Sequence, residues 1–279
     1  MADQRIGVMQ GRLSPRPANR LQAFPHQSWP EEFARAKRVG FSYLEWIYEA
    51  ERAEENPIAN SAGRAAIRAC AAASGLSVGS VCADYFMVHR LAGGSARERA
   101  VHATALAELV RWTRELGATR ILLPLLETSA LQTPEQLREA SESIRSVCPA
   151  LEAYDVTLGL EMEIPGPDYA AVIRGIAHPR VRAYYDTGNS TAQGLDIATD
   201  ILPLLPLLEA VHLKDRVIGG SSQAFGCGAA NFAGFFAVLA AAGYAGDFLT
   251  QHYFDTDPEA SAAHSLDFVQ GQLRARRAA

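Results

Sequence analysis

The chain has 279 residues, of which 48% are hydrophobic and 20% are charged, and its formal net charge is -5 at pH 7. This length supplies one large core, and the acidic balance argues against a nucleic-acid-binding surface. No apolar stretch reaches the roughly 18 residues of a membrane span, and the N-terminus lacks the features of a signal peptide. The four cysteines form no CxxC pair, which disfavours a zinc ribbon or redox dithiol and predicts a cytoplasmic protein.

Short β-rich runs alternate with Ala-rich helical stretches along the chain. The predicted strands are 6–10, 43–49, 77–86, 119–127, 156–164, 181–189, 208–216 and 247–254. The predicted helices are about 30–39, 59–74, 95–116, 134–153, 167–177, 196–204, 230–242 and 257–275. Eight such units predict an α/β fold, a single (β/α)8 TIM barrel that forms one domain over residues 1–279. The first strand is not followed by GxGxxG, which counts against a dinucleotide-binding fold.

The predicted helices carry recognisable start and stop signals. Thr133 offers an N-cap before Pro134 and Glu135, which suit the first turn of a helix. Glycines follow four of the predicted helix ends, at Gly40, Gly75, Gly117 and Gly243. The glycine-rich stretch 219–228 after the seventh strand is predicted to be a flexible loop able to close over a substrate.

The last four predicted strands each carry, past the midpoint, a residue able to bind a metal ion. These residues are Glu161, Asp186, His212 and Gln251. Because the carboxyl ends of barrel strands meet at one face, the four side chains are expected to converge there. Alternation along the strands turns Glu161 and Glu163 toward the barrel axis, and it prefers Gln251 over His252 as the fourth ligand unless a bulge intervenes.

Two carboxylates, an imidazole and an amide oxygen favour Mn²⁺, Mg²⁺ or Co²⁺ as the divalent ion. Zn²⁺ remains open, although it is less favoured because the set contains no thiolate. Taken singly, each residue is more often a turn former, a helix cap or a hydrogen-bonded rim residue. Charged groups pointing into a barrel are costly unless they are paired or metal-bound, so a shared site explains the series better than four separate roles.

Four motifs on these strands carry a family resemblance: LGLE (158–161), YDTGN (185–189), VHLKDR (211–216) and FxxQ (248–251). They resemble the xylose isomerase-like TIM-barrel superfamily, in its sugar phosphate isomerase/epimerase branch. Three further stretches are similar to the same branch, at 8–15, 41–46 and 80–87. The resemblance runs over most of the chain. It is specific for the superfamily and weak for any one reaction.

The resemblance implies a metal held by Glu161, Asp186, His212 and a glutamate at the position of Gln251. In the epimerases of this branch the two glutamates also act as acid–base groups on opposite faces of the substrate. Gln251 can bind a metal through its amide oxygen, but it cannot accept and return a proton at neutral pH. The two-base mechanism is therefore in doubt at this position.

Several other polar residues at strand ends are candidates for catalysis or substrate binding. Glu161 is predicted to act as ligand and base together, with Glu127, Glu163 or Glu45 as the second proton carrier. Lys214 is predicted to hold a phosphate or the developing oxyanion. The predicted substrate contacts are Arg12, Glu45, Arg216 and Asn189. For each, the alternative is a structural role, such as an ion pair at the rim.

The leading functional prediction is a metal-dependent isomerase or epimerase that acts on a small sugar or sugar phosphate through an enediolate. The alternative is a lyase or dehydratase that uses the same enolate and then expels a hydroxyl group. A phosphodiesterase of the endonuclease IV type would need more ligands and a basic groove, which the sequence does not provide. A sugar-binding or regulatory protein with a degenerate site is motivated by Gln251. No nucleic-acid or membrane partner is predicted, and a homo-oligomer is left open.

Overall fold

The structure, a computed structural model, describes residues 4–15, 20, 22–253 and 256–278. Its strands are β1 (Ile6–Met9), β2 (Tyr43–Ile47), β3 (Ser77–Cys82), β4 (Arg120–Leu125), β5 (Thr157–Met162), β6 (Val181–Asp186), β7 (Leu208–Leu213), β8 (Asp215–Arg216), β9 (Ser222–Gln223) and β10 (Phe248–Thr250). β1 to β7 and β10 close into a parallel barrel in which β10 pairs with both β7 and β1. The predicted (β/α)8 TIM barrel is confirmed. That all of residues 1–279 belong to one domain stays a prediction.

Helices cover the outside of the barrel between successive strands. They are α1 (Trp29–Val39), α2 (Ser61–Ser74), α3 (Tyr85–Val88), α4 (Ala96–Glu115), α5 (Pro134–Ala153), α6 (Gly166–Ile176), α7 (Thr187–Ala192), α8 (Ile197–Asp200), α9 (Phe232–Ala241) and α10 (Pro258–Ala278). Thr133 caps α5 by accepting the N–H of Gln136. The glycines after α1, α2, α4 and α9 all have positive φ, as a helix-ending glycine should.

Several predicted strands are longer than the observed ones, and the third, 77–86, ends at Cys82 before α3 begins at Tyr85. Local chemistry explains two further differences. The sixth predicted strand, 181–189, ends at Asp186 because the Asp186 carboxylate accepts the N–H of Asn189 and so starts α7. The predicted helix 196–204 is reduced to α8 and a 3-10 segment, Leu202–Leu207. Prolines at 203 and 206 lack the N–H groups that a longer α-helix would use. Position 254, the last of the eighth predicted strand, lies outside the described residues.

Aromatic rings fill the barrel axis below the carboxyl ends of the strands. The Tyr43 ring lies where a Cβ at Gly7 or Gly79 would come within 2.4 Å of it, so glycines on β1 and β3 make room for it. Tyr184 likewise takes the space beside Gly159. The candidate site described below lies above this packed floor, at the carboxyl ends of the strands. Among the helices of the described ranges, none has the length and apolarity needed to cross a bilayer.

Candidate functional site

Three of the predicted metal ligands meet at the carboxyl ends of neighbouring strands. Potential ligand atoms of Glu161, Asp186 and His212 all lie within 4.8 Å of one another, and the three side chains are buried. Asp186 on β6 is paired in register with His212 on β7, which places their side chains next to each other. His212 Nδ1 is 3.8 Å from Asp186 Oδ2. A divalent ion fits between such groups, because each can direct a lone pair toward a common point.

His212 is held from below by a buried carboxylate. Its Nε2 lies 2.7 Å from Glu45, whose other oxygen accepts hydrogen bonds from Ser80 and Tyr184. Burial alone would raise the pKa of Glu45, but contact with His212 and these donors keeps the pKa below its usual value. With Nε2–H donating to Glu45, the lone pair of a neutral imidazole sits on Nδ1. Nδ1 is buried, with no hydrogen-bond partner among the residues that the structure describes.

Lys214 supplies positive charge at Asp186. Its Nζ lies 3.0 Å from Asp186 Oδ2. Burial would raise the pKa of Asp186, but the charges of Lys214 and His212 lower it, so the carboxylate stays ionised. The Lys214 stem passes so close to α7 that a Cβ at Gly188 would lie 2.7 Å from its Cγ. Gly188 of the YDTGN motif therefore makes room for this lysine.

Glu161 is oriented by a short polar chain. The Asn189 amide donates to Glu161 Oε1 at 2.9 Å, and Arg216 donates to Asn189 Oδ1 at 3.2 Å. Arg216 also donates to the carbonyl of Gly220. Burial, reinforced by the neighbouring Asp186 carboxylate, holds the pKa of Glu161 well above its usual value.

Gln251 follows β10, and its backbone N–H bonds to the carbonyl of Leu213, the residue after His212. Its amide Nε2 donates to Gln22 in the loop after β1. Its Oε1 is buried and accepts no hydrogen bond from the described part of the chain. The His252 ring instead lines a cavity with Phe225 and residues of α10, in keeping with the alternation along the strand. Arg12 donates to the His252 carbonyl at 2.9 Å. The predicted contact between Arg12 and a substrate stays a prediction.

The predicted proton carriers occupy different places. Glu127 is exposed and begins a 3-10 turn after β4 with a left-handed φ of 46°. Glu163 is partly buried. Burial raises its pKa, Arg216 opposes this, and the charges of Glu127 and Asp186 add to the rise. Glu45 lies deep in the interior with both oxygens engaged, which favours a role in holding His212 over contact with a substrate.

Two further residues of the site were missed by the sequence analysis. Gln22 contacts Gln251 and also donates to Asp84, which follows β3. Asp84 could have been suspected as a carboxylate at a strand end, like Asp186. Gln22 belongs to an irregular loop, in which no periodicity indicates where a side chain points.

The donor set fits a divalent ion on its own chemistry. Glu161 and Asp186 provide carboxylates, and His212 Nδ1 and Gln251 Oε1 are buried polar atoms without hydrogen-bond partners among the described residues. Buried polar atoms are normally satisfied, so acceptors without partners are those that a cation would use. Glu161, Asp186 and His212 are brought together and could hold the ion, whereas Gln251 as the fourth ligand stays a prediction.

Comparison with known proteins agrees with this geometry. A family profile described as xylose isomerase-like TIM barrel matches residues 33–272. The L-ribulose-5-phosphate 3-epimerase UlaE of Salmonella paratyphi C (strain RKS4594) is 25% identical over 260 residues, which cover 88% of this chain and 90% of that protein.

Two solved structures show the same fold over nearly the whole chain. An L-ribulose 3-epimerase has a TM-score of 0.79 at 20% identity and covers 98% of this chain and 96% of its own. The D-psicose 3-epimerase of Clostridium cellulolyticum H10 has a TM-score of 0.77 at 16% identity, with coverage of 96% and 99%. The relatives named here are sugar epimerases, which are isomerases, and the prediction of an enzyme of this class is confirmed.

Proposed function

The chain belongs to the xylose isomerase-like TIM-barrel family, and we propose that it is a divalent-metal-dependent isomerase or epimerase acting on a sugar or sugar phosphate. The convergence of Glu161, Asp186 and His212 within 4.8 Å carries this proposal. Substrate class is supported by the relatives, which are named for L-ribulose 5-phosphate, L-ribulose and D-psicose, all of them ketoses.

Glu161 is the proposed base. Burial beside Asp186 raises its pKa, which strengthens the carboxylate as a base, and the hydrogen bond from Asn189 fixes the direction of the carboxylate. A bound divalent ion, held by Glu161, Asp186, His212 and Gln251, would polarise the substrate carbonyl and offset negative charge on its oxygens. Lys214, beside Asp186, adds a cation that favours the charge of an enediolate.

The return of the proton separates isomerisation from epimerisation. Isomerisation on one face needs Glu161 alone, whereas epimerisation needs a second carrier on the other face. The Gln251 amide cannot accept and return a proton at neutral pH, so the second carrier must be another group. We propose Glu163, because it is partly buried and its pKa is raised, with the exposed Glu127 as the alternative. Arg12 and Arg216 at the mouth are proposed contacts for substrate hydroxyl or phosphate oxygens.

The test combines metal titration with hydrogen exchange. Calorimetry with Mn²⁺, Mg²⁺, Co²⁺ and Zn²⁺ is expected to show one ion per chain. NMR in D₂O with a panel of ketoses and ketose phosphates is expected to show deuterium entering at one carbon of the accepted substrate. Glu161→Gln should abolish this exchange, whereas Glu152→Gln, the same change on an exposed residue of α5, should retain it.

Other outcomes reject the proposal in distinct ways. Absence of metal binding, or full exchange in Glu161→Gln, would remove its basis. A product whose mass is that of the substrate minus one water would support the lyase or dehydratase alternative. Cytoplasmic location and homo-oligomerisation stay predictions that fractionation and gel filtration can address.

A further inference from the structure

Gln251 is the last member of a directed chain of hydrogen bonds that begins on another strand. The Cys82 thiol donates to Asp84 Oδ1 at 3.1 Å, and Asp84 Oδ2 accepts from the amide nitrogen of Gln22. The Oε1 of Gln22 then accepts from the amide nitrogen of Gln251 at 2.6 Å. The chain thus links the end of β3, the loop after β1 and the end of β10.

Each link fixes the orientation of the next. Asp84 accepts hydrogen bonds at both carboxylate oxygens, from Cys82 and from Gln22, so it selects the NH₂ end of the Gln22 amide. With its NH₂ turned to Asp84, Gln22 presents only its oxygen to Gln251. That oxygen selects the NH₂ end of the Gln251 amide, and Gln251 Oε1 is left as the buried atom without a partner among the described residues. A primary amide has two ends of nearly equal shape, so without this selection either end could face the candidate metal site.

We propose that Asp84 and Gln22 are positioning residues that turn the oxygen of Gln251 toward the metal ion, which makes a glutamine usable as the fourth ligand. The inference rests on the proposed metal site. It concerns two residues whose observed hydrogen bonds, within the described part of the chain, go to Cys82, to each other and to Gln251 rather than to the other three ligands.

The direction of these hydrogen bonds also explains why Asp84 and Gln22 suit a glutamine, rather than a glutamate, at position 251. In Gln251→Glu, the new carboxylate would face the oxygen of Gln22. If Gln22 turned over, its oxygen would instead face Asp84. One contact between two acceptors is unavoidable in either state. Asp84→Asn relieves it, because the amide introduced at position 84 can donate to a reversed Gln22, whose NH₂ then donates to the carboxylate introduced at position 251.

The experiment is a double-mutant cycle read by Mn²⁺ affinity, using calorimetry and the electron paramagnetic resonance signal of free Mn²⁺. Asp84→Asn is expected to weaken Mn²⁺ binding about threefold when residue 251 is Gln and to strengthen it about tenfold when residue 251 is Glu, as one misdirected hydrogen bond would produce. The variant that carries both Asp84→Asn and Gln251→Glu keeps the net charge of the parent. A change in overall charge therefore cannot explain a change in the sign of the effect on Mn²⁺ affinity.

Glu49→Gln is the matched control, because it removes a neighbouring buried carboxylate that bonds to Phe24 and Arg20 rather than to the amide chain. It should change Mn²⁺ affinity by the same small factor in both backgrounds. Thermal melting of every variant reports folding independently of metal. If Gln251→Glu does not fold, Gln22→Leu in the parent background replaces it and should weaken Mn²⁺ binding about tenfold without a matching loss of thermal stability.

The outcomes are distinguishable. A change of sign between the two backgrounds supports the inference, as does the loss in Gln22→Leu. An equal effect of Asp84→Asn in both backgrounds overturns it and leaves the proposed function intact. A parent protein that binds no divalent ion overturns both.

Discussion

A histidine that binds a metal through one ring nitrogen needs the proton kept on the other. In this barrel Glu45 performs that task for His212, since its carboxylate lies 2.7 Å from Nε2 and is itself fixed by Ser80 and Tyr184. The Tyr184 ring also packs edge-on against the imidazole, with ring centroids 4.9 Å apart. The imidazole therefore has one available orientation and one favoured tautomer.

Replacing Glu45 by glutamine tests this arrangement. The amide of Glu45→Gln keeps one oxygen for Ser80 and Tyr184 and turns its NH₂ toward Nε2, which moves the imidazole proton to Nδ1. Mn²⁺ affinity measured by calorimetry should fall by about 10- to 100-fold. Ser80→Ala removes one hydrogen bond without changing the tautomer and should bind Mn²⁺ nearly as the parent does. Parent-like affinity in Glu45→Gln would show that the pair has no influence on the site.

A buried carboxyl group on α1 couples stability to pH. Glu32 of α1 is fully buried and accepts the N–H of Gly11 at 2.8 Å, which ties α1 to the loop after β1. Burial raises the pKa of Glu32 to about 7, against the opposing effect of its hydrogen bonds and Arg35. The folded chain therefore keeps this proton at pH values where the unfolded chain has released it.

The sign follows from linkage between protonation and folding. The contribution of Glu32 to stability is complete below the unfolded pKa of 4.5 and is lost as pH rises to about 7. Glu32→Gln keeps an acceptor for Gly11 and removes the titration. Relative to the parent, its free energy of unfolding should increase by on the order of 3 kcal/mol between about pH 4.5 and about pH 8. Urea denaturation across this range measures the difference, and a constant difference would contradict the assignment.

At the scale of secondary structure, alternation along strands carried much of the prediction. It turned Glu161 toward the barrel axis and preferred Gln251 over His252, because the side of a strand is a local property of the chain. It could not reveal that Glu45 on β2 reaches His212 on β7 across the barrel, since that contact depends on closure of the sheet. Strand ends were overestimated where a polar residue starts a helix, as Asp186 does for α7.

Loops were the least predictable elements. The glycine-rich stretch 219–228 was expected to be flexible, but it contains β9, which pairs with the preceding β8, and it is anchored at its base. Asp215 accepts the N–H groups of Gly226 and Gly228, each at 2.9 Å, and that of Ala230 at 3.3 Å. Glycine content indicates which conformations are allowed. It does not indicate that a buried carboxylate will select one of them.

Asp215→Ala should release this loop. Three backbone N–H groups lose their acceptor, so local opening becomes easier and the free energy of unfolding falls by on the order of 2 kcal/mol. Limited proteolysis should then cut within 217–227 faster than in the parent. Asp215→Asn, which retains one acceptor oxygen, should be intermediate. A loop in Asp215→Ala that resists protease as the parent does would show that the hairpin holds without this anchor.

At the scale of the whole barrel, the two ends have separate roles. The carboxyl ends of the strands carry the candidate metal ligands, while the amino ends carry a charge cluster that ties the walls together. Arg120 at the start of β4 donates to Asp247, just before β10, at 2.6 Å, and Arg5 before β1 contacts the same carboxylate. The Arg120 guanidinium also lies 5.7 Å from the centre of the Tyr43 ring.

Removing the negative charge of Asp247 should lower the stability of the fold without changing metal affinity. Burial would raise the pKa of Asp247, but Arg5 and Arg120 lower it, so its contribution is present at neutral pH and is lost as pH falls. Asp247→Asn leaves Arg120, which is 6% exposed, without its counter-charge, and should lower the free energy of unfolding by about 3 kcal/mol. Mn²⁺ affinity should remain that of the parent, because the metal ligands lie at the opposite end of the strands.

The control is Arg5→Ala, which removes the more exposed partner and should lower the free energy of unfolding by no more than about 1 kcal/mol. Chemical denaturation and calorimetry on the same samples separate the two properties. A loss of Mn²⁺ affinity in Asp247→Asn comparable in free energy to its loss of stability would show that the two ends of the barrel are coupled. The effect of the substitution would then have to reach His212 and Asp186 through the aromatic layer formed by Tyr43 and Tyr184.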